Sequence, residues 1–197
     1  MRPAARLLVP GRHNVLNALA ALAVADQLGL PLAQAGAALS EFRGTGRRFE
    51  LRGEAGGVTV IDDYAHHPTK IRATLAAARM RYPDRRIWAV WQPHTYSRTR
   101  CLLVEFAQAF EQADRVVVTE IYAAREQAPA DGFSSRQVLA AMDRNGIHYA
   151  SDLGQASEYL LSQLHRGDVL LVMSAGDADQ VSTRVLAGLQ ERSSRNG

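Results

Sequence analysis

The amino-acid sequence predicts an α/β fold, with a doubly wound, mostly parallel sheet of about six strands preceded by a mainly helical segment. Two observations support this prediction. Short runs that are apolar throughout, such as residues 87–91 and 169–173, are typical of parallel strands covered on both faces. Segments with apolar residues at helical spacing separate these runs, and strands that alternate with helices in this way form a parallel sheet.

The first 45 residues follow a different pattern. Residues 7–9 are an apolar run that predicts a short strand, and Asn14 is expected to cap a helix that reaches Gly29. A second helix is predicted at residues 32–42. One strand and two helices cannot cover their own apolar faces, so we expect another surface to pack against this segment.

Strands and helices alternate from residue 48 onwards. Pro68 suits the first position of a helix, and Ser134 and Asp152 are typical helix N-caps. The predicted strands comprise residues 48–52, 58–61, 87–91, 116–118, 147–150 and 169–173. The predicted helices comprise residues 68–82, 99–113, 135–144, 153–164 and 180–189, with a frayed tail at residues 193–197.

Composition narrows the possible classes of function. The chain of 197 residues is 47% hydrophobic and can bury a substantial core, while its net charge of +3 is too small to predict nucleic-acid binding. The single cysteine, Cys101, excludes a disulfide within the chain and favours a reducing compartment. Residues 1–10 lack the apolar core of a signal peptide, and no apolar run approaches the roughly 20 residues of a membrane span. We therefore expect a cytoplasmic protein with neither a nucleic-acid nor a membrane partner.

Polar and titratable residues follow the predicted strands, at residues 62–67, 92–99, 119–122 and 174–177. The carboxyl ends of parallel strands meet at one edge of the sheet, where open α/β folds bind ligands. The first of these segments alone supplies two aspartates, a tyrosine and two histidines. The last contains small residues, Ser174 to Gly176, that would let the backbone approach a ligand closely.

Ser97, Arg98 and Thr99 are predicted to lie at the start of a helix. Free N–H groups, the positive end of the helix dipole and a guanidinium together predict a carboxylate or phosphate site there. A structural alternative stays open for each residue, because Ser97 or Thr99 could be a helix cap and Asp63 could satisfy a turn.

Other kinds of site are disfavoured by the sequence. His66 and His67 are adjacent, so their side chains diverge, and there is no cysteine pair to complete a zinc site. The sequence has no Gly-x-Ser-x-Gly elbow for a nucleophilic serine and no Gly-rich loop ending in Gly-Lys-Ser/Thr that could cradle a triphosphate. We therefore assign neither a metal site nor a certain catalytic residue.

Four segments together resemble the Mur ligase family in order and spacing. They are Gly-Arg-His-Asn-Val-Leu-Asn-Ala-Leu-Ala-Ala at residues 11–21, Arg-Arg-Phe-Glu at 47–50, Asp-Asp-Tyr-Ala-His-His-Pro at 62–68, and Gln-Pro-His-Thr-Tyr-Ser-Arg-Thr at 92–99. The last two forms are similar to those of the members that add L-alanine. The resemblance implies that residues 1–45 are the end of the family's central ATP-binding domain and residues 46–197 its Rossmann-like C-terminal domain. The family's UDP-sugar domain and the phosphate-binding loop would then lie outside this chain.

The resemblance also implies a function. Such ligases use ATP and Mg²⁺, both held mainly by the central domain, to join L-alanine to UDP-N-acetylmuramate through an acyl phosphate in peptidoglycan precursor synthesis. The partners of this chain would be those two substrates and the N-terminal and central domains, and the chain alone would be inactive. The implied ATP-binding residues are Asn14, Asn17, Arg48 and Asp63, and the implied L-alanine residues are Tyr64, His66, His94 and Arg98.

The sequence departs from the family pattern at four positions. Thr95 stands where an arginine is common, Lys70 where an acidic residue is common, and Ser174 and Arg125 where glycines are usual. The Thr95 change bears most directly on the amino-acid contacts. Two alternatives stay open: a related ligase that attaches a preformed tripeptide to the same nucleotide sugar, and a stand-alone nucleotide- or amino-acid-binding module without catalysis.

Overall fold

A computed structural model describes residues 6–195, which form six strands and eight helices. The strands are β1 (Glu50–Ala55), β2 (Val58–Asp63), β3 (Ile87–Trp91), β4 (Arg115–Thr119), β5 (Ile147–Ala150) and β6 (Val169–Met173). The helices are α1 (Arg12–Gln27), α2 (Leu32–Glu41), α3 (Pro68–Arg81), α4 (Tyr96–Cys101), α5 (Leu103–Ala107), α6 (Ser135–Ala141), α7 (Leu153–Gln163) and α8 (Asp179–Arg195). None of the helices in these residues is long and apolar enough to cross a bilayer.

All six strands belong to one sheet, in the order β1-β2-β6-β3-β4-β5. Only β1 is antiparallel to its neighbour, and every other pairing is parallel. Helices α3, α5 and α6 cover one face of the sheet, and α7 and α8 cover the other. The prediction of a doubly wound, mostly parallel α/β sheet of about six strands is therefore confirmed.

Two apolar cores lie on opposite faces of the sheet, which explains the apolar strands. Successive residues of β2 enter different cores, with Ile61 on one face and Val60 on the other. Leu171 and Val172 of β6 divide in the same way. Because both faces are buried, a central strand needs apolar residues at every position, not at alternate ones.

The strand register brings the polar segments together. Asp63 at the end of β2 and Trp91 at the end of β3 both pair with Met173, the last residue of β6. Trp91 also pairs with Val118 of β4. The residues that follow these four strands therefore converge on a single edge, as expected for parallel strands.

The start of the chain differs from the prediction. Residues 7–9 are not a strand, and no strand among residues 6–195 pairs with them. Asn14 is not the N-cap, because α1 begins at Arg12 with Gly11 before it. Gly11 has a φ of 101°, a conformation that glycine adopts readily, and it lets the chain enter the helix three residues earlier than predicted. The Asn14 amide donates instead to the Pro10 carbonyl oxygen at 2.7 Å.

Several boundaries were also wrong. β2 continues two residues beyond the predicted strand and includes Asp62 and Asp63. The helix predicted at residues 99–113 is two short helices, because the chain turns at Leu102 between α4 and α5. Helix α6 ends at Ala141, before the predicted residue 144.

Helix α8 is longer than predicted at its C-terminal end. It runs to Arg195, and the Ser193 hydroxyl donates to the Leu189 carbonyl oxygen at 3.0 Å. The predicted frayed tail is therefore wrong for residues 193–195, while residues 196 and 197 lie outside the described residues.

Helix α1 exposes most of its apolar surface. Only Ala18 and Ala25 are buried in it, whereas four larger apolar side chains of the helix, and that of Leu28 just after it, are about half exposed or more: Val15, Leu16, Leu19 and Val24. This matches the expectation that the first segment cannot cover its own apolar faces.

Candidate functional site

A cleft of about 310 Å³ lies between the start of α1 and the segment that joins β2 to α3. Such a volume is at the lower end of the range for small-molecule sites. Five of the eight residues implied as ligand contacts line it: Asn14, Asn17, Arg48, Asp63 and Tyr64. His13 and Lys70 also line the cleft. The fold thus brings together residues that are as far apart in the sequence as α1 and β2.

Arg48 is presented to this cleft by a turn that is fixed at both ends. The Arg47 carbonyl oxygen accepts a hydrogen bond of 2.7 Å from the Tyr64 N–H. The Phe49 N–H donates to Asp63 Oδ2 at 2.8 Å. Arg47 and Phe49 have φ values of 56° and 48°, which are uncommon for residues other than glycine, and these two hydrogen bonds hold them there. Asp63 therefore does satisfy a turn, and it also lines the cleft.

Arg47 connects three elements of the site, and sequence reasoning did not assign it a role. Its Nη2 donates to the Ser174 carbonyl oxygen at 2.9 Å, and its Nη1 donates to the Gly176 carbonyl oxygen at 3.3 Å. The guanidinium carbon also lies 5.3 Å from the centre of the Tyr64 ring, within the range of a cation–π interaction. Arg47 lies beside Arg48 in the Arg-Arg-Phe-Glu segment that resembles the family, and that position could have indicated a role for it.

Asp62 is a fully buried carboxyl beneath Arg47. Its Oδ2 lies 3.7 Å from Arg47 Nε, and neither carboxyl oxygen has a hydrogen-bond partner within residues 6–195. Burial raises the pKa of Asp62 from 3.8 to about 6, although the Arg47 charge opposes the shift. This carboxyl therefore takes up a proton far more readily than a solvated aspartate.

The remaining implied residues form an aromatic and basic cluster along the same sheet edge. The His66 ring lies 5.0 Å from the Tyr64 ring and 6.1 Å from the His94 ring, measured between centres. The Tyr122 ring stacks on His94 at 5.6 Å. Nη1 of Arg98 lies 3.5 Å from His94 Nδ1. Tyr64 thus belongs both to the cleft and to this cluster.

The surroundings of the two histidines of the cluster favour their neutral form. Burial lowers the pKa of His66, and the charges of Arg98 and Lys70 lower it further, while its hydrogen bond to Tyr64 opposes the shift. Burial and the Arg98 charge likewise lower the pKa of His94, with Glu126 acting in the opposite direction. Both imidazoles can therefore accept or donate hydrogen bonds without carrying charge.

The anion site predicted at the start of α4 is occupied by the protein itself. The Glu126 carboxylate accepts a hydrogen bond of 2.9 Å from the Ser97 N–H, and it also accepts one from the Ser97 hydroxyl. These bonds lower the pKa of Glu126. The Thr99 hydroxyl donates to the Thr95 carbonyl oxygen, so only Arg98 of the three predicted residues keeps a charged group directed at the cluster.

The small residues after β6 serve internal packing. The Ser174 hydroxyl donates to Gln92 Oε1 at 2.7 Å, and Gln92 Nε2 donates to Asp177 Oδ1 at 2.8 Å. A Cβ atom at Gly176 would lie 2.5 Å from Gln92 Oε1 and 2.8 Å from Tyr122 Cγ. Glycine is therefore needed there for contact with protein groups, while the predicted approach of this backbone to a ligand stays a prediction.

His67 has a local structural role. Its Nδ1 accepts a hydrogen bond of 3.3 Å from the Thr69 N–H and so caps α3. Across residues 6–195 there is no group of three or more His, Cys, Asp or Glu side chains that could hold a metal ion. Cys101 is exposed at the end of α4.

Comparison with known proteins adds family information. The profile of the family described as Mur ligase, glutamate ligase domain, matches residues 47–176. The UDP-N-acetylmuramate–L-alanine ligase of Chloroflexus aggregans is 48% identical over 186 residues, which cover 93% of this chain and 39% of that protein. The chain thus spans about two fifths of the length of the curated relatives it matches.

Solved structures show the same fold. The UDP-N-acetylmuramate–alanine ligase of Thermotoga maritima superposes with a TM-score of 0.80 at 32% identity, covering 98% of this chain and 40% of the other. A murein peptide ligase from Psychrobacter arcticus superposes with a TM-score of 0.70 at 30% identity, covering 94% of this chain and 38% of the other.

Proposed function

The chain belongs to the Mur ligase family, and on that premise we propose that it is the C-terminal part of a ligase that joins L-alanine to UDP-N-acetylmuramate. The observation that carries the proposal is the adjacency of two unlike sites at one sheet edge. A cleft lined by Asn14, Asn17, Arg48 and Asp63 meets a cluster of His66, His94 and Arg98, and Tyr64 belongs to both. The names of the relatives that are 44–48% identical support the L-alanine substrate.

The cleft suits the nucleoside part of ATP. Asn14 and Asn17 present amides that can pair with the edge of an adenine, while Arg48 and Asp63 present a cation and an anion to ribose and phosphate groups. ATP would supply the phosphoryl group that turns the muramoyl carboxylate into an acyl phosphate. Mg²⁺ would be held mainly by the central domain that the relatives' greater length accommodates.

The histidine cluster suits the amino acid. The Arg98 guanidinium can hold a carboxylate through two parallel hydrogen bonds. Tyr64, His66 and His94 would surround the amino group with uncharged hydrogen-bonding atoms. The family resemblance implies a second arginine where this chain has Thr95, so we propose that Arg98 is the main contact of the carboxylate.

Residues 1–45 are proposed to complete the central domain, and residues 46–197 to form the C-terminal domain. The exposed apolar residues of α1, such as Leu16 and Leu19, are the surface that the rest of a central domain would cover. Closure of the two domains would bring the amino acid to the acyl phosphate and exclude water. We accordingly propose a cytoplasmic enzyme in which this chain alone does not turn over.

A chimera tests the proposal. In it, this chain follows the portion of the Chloroflexus aggregans ligase that it does not match. We expect phosphate release that requires ATP, UDP-N-acetylmuramate and L-alanine together, and none from this chain by itself. A folded chimera that binds UDP-N-acetylmuramate but releases no phosphate with L-alanine would contradict the proposal, as would turnover by the lone chain.

The second candidate is a ligase that attaches a preformed tripeptide. The structural similarity to the murein peptide ligase of Psychrobacter arcticus supports it, although at a lower identity of 30%. Parallel assays of the chimera with L-alanine and with an L-alanyl-γ-D-glutamyl-diaminopimelate tripeptide separate the two. Calorimetry of the lone chain with ATP and L-alanine tests the remaining alternative, because micromolar binding without the other domains would favour a stand-alone binding module.

A further inference from the structure

Hydrogen bonding fixes the protonated nitrogen of His66. Its Nδ1 lies 2.8 Å from the carbonyl oxygen of Tyr64. A carbonyl oxygen can only accept a hydrogen bond, so Nδ1 must carry the hydrogen. In the neutral ring, the lone pair is then on Nε2, at the opposite side of the ring from the Tyr64 backbone.

His94 has the opposite arrangement. Its Nδ1 lies 3.5 Å from Nη1 of Arg98, and a guanidinium can only donate. The lone pair of His94 is therefore directed at Arg98, and its hydrogen is on Nε2. The two histidines, whose ring centres are 6.1 Å apart, thus differ at Nε2, which is an acceptor in His66 and a donor in His94.

Two carboxylates near His66 already accept hydrogen bonds from the protein, and a third, that of Asp62, is fully buried. Asp63 Oδ2 holds the Phe49 N–H, and the Glu126 carboxylate holds both polar groups of Ser97. Of the side chains implied in amino-acid binding, His66 alone combines a low basicity suited to neutral pH with an uncommitted lone pair.

The charges around His66 are positive. Arg98 of α4 and Lys70 of α3 act on it together with the neighbouring ring of His94, and its own segment contributes the Tyr64 carbonyl oxygen. Burial and these charges lower the pKa of His66, which keeps the lone pair free at pH 7. The same cations would lower the pKa of an ammonium group bound beside them and favour the neutral amine.

We propose that His66 is the general base of the ligation and takes a proton from the attacking amine at Nε2. The inference rests on the proposed function, which supplies the acyl phosphate. The amino acid loses one proton to solvent as it binds in its amine form. As the nitrogen bonds to the carbonyl carbon, the bond from that carbon to the phosphate oxygen breaks, and the second proton passes to Nε2. Amide, inorganic phosphate and an imidazolium result, and the imidazolium then returns its proton to solvent.

The tautomers can be measured on the chain itself, without any assumption about the reaction. Long-range ¹H–¹⁵N NMR spectra are expected to show His66 protonated on Nδ1 and His94 protonated on Nε2, with both titrating below the usual histidine value of about 6.5. A His66 ring protonated on Nε2, or one that titrates above that value, would overturn the inference.

Kinetics of the chimera test the proton transfer. His66→Gln is expected to lower kcat about 100-fold, to leave the KM for ATP unchanged, and to remove the acidic limb from the pH profile of kcat/KM for L-alanine. His94→Gln is the matched variant. The His94→Gln variant loses a hydrogen-bond donor to the amino acid, so its KM for L-alanine is expected to rise. It keeps His66 as the base, so the acidic limb of the pH profile is expected to remain.

The outcomes distinguish the inference from the proposed function. If the chimera releases phosphate with L-alanine but His66→Gln keeps both the wild-type kcat and the acidic limb, the inference is wrong while the proposed function stands. If a folded chimera that binds UDP-N-acetylmuramate is inactive, the proposed function is wrong, and the NMR spectra still test the inference, because a His66 ring protonated on Nε2 would overturn it. Added imidazole that restores activity to His66→Ala, but not to His94→Ala, would support the proton-transfer role.

Discussion

Asp62 Oδ2 lies 3.7 Å from Arg47 Nε, and both atoms are buried. The charge of this carboxyl group in β2 therefore acts on a guanidinium that helps to shape the site. The guanidinium of Arg47 also holds the carbonyl oxygens of Ser174 and Gly176 and stacks near the Tyr64 ring. The protonation state of Asp62 thus acts on a residue that fixes both the cleft and the turn after β6.

Asp62→Asn is expected to change how stability depends on pH. The folded-state pKa of about 6 exceeds the ordinary value of 3.8, so wild-type stability is greatest below about pH 4 with respect to this group and is lost as the pH rises through about 6. The asparagine variant should therefore gain on the order of 3 kcal/mol relative to wild type between about pH 4 and pH 7. Urea unfolding followed by tryptophan fluorescence measures this difference.

Asp114→Asn provides the control of opposite sign. The hydrogen bonds from Ile87 and Arg79 lower the pKa of Asp114 despite its partial burial, so its contribution to stability is present above the usual aspartate value and lost at lower pH. The advantage of wild type over this variant should disappear on acidification. A flat difference between Asp62→Asn and wild type across the same range would show that the Asp62 pKa is not raised.

Arg47→Met is expected to destabilise the fold by roughly 2–4 kcal/mol, because it removes hydrogen bonds from a charged donor and leaves Asp62 buried without a cation. In the Asp62→Asn background the loss should be smaller, and a double-mutant cycle with urea unfolding measures the coupling. Arg47→Lys should recover only part of the loss, since an ammonium group cannot bridge the Ser174 and Gly176 carbonyl oxygens as the planar fork does. Additive losses in the cycle would mean that Arg47 and Asp62 act independently.

The Asp63→Asn variant should distinguish the role of Asp63 in the turn from its role in nucleotide binding. Asparagine keeps an oxygen that can accept from the Phe49 N–H, so we expect the free energy of unfolding to change by less than about 1 kcal/mol. In the chimera the same change is expected to raise the KM for ATP at least tenfold, about 1.4 kcal/mol, because a ribose or metal-bridged phosphate loses a charged partner.

Asp63→Ala loses the acceptor as well and should be less stable than Asp63→Asn. If the asparagine variant unfolds, or if ATP use is unaffected while the domain stays folded, then satisfying the turn is the whole role of Asp63.

Lys70→Glu reverses the charge of a residue that lines the cleft. The Lys70 charge contributes to lowering the pKa of His66, so reversing that charge should raise the pKa of His66. NMR titration of the His66 ring measures the shift. Arg72→Glu is the matched control on the same helix, because the Arg72 guanidinium is directed at the Glu105 carbonyl oxygen, 3.4 Å away. Equal shifts in both variants would indicate a general charge effect and not a local one.

Some features of the site could be predicted and others could not. Arg48, Asp63 and Tyr64 came from segments that resemble the family, and their convergence on one edge follows from strand order. The sequence could not predict that Glu126 binds the Ser97 N–H at the start of α4, because Glu126 lies in a loop 29 residues further along the chain. The clamp of Arg47 on Ser174 spans 127 residues, and no local pattern reports a contact over that distance.

The sequence by itself determined the alternation of strands and helices and the edge on which a ligand site would lie. It could do so because burial on both faces leaves an apolar run and because parallel strands end together. Only the tertiary structure decided which polar groups are free. Hydrogen bonds within the folded protein use up many of these groups. The Ser97 N–H donates to Glu126, Asp63 accepts from the Phe49 N–H, and the Tyr64 carbonyl oxygen accepts from His66. The groups left after those pairings, chiefly the remaining N–H groups of Arg98 and the Nε2 lone pair of His66, define the chemistry that the site can perform.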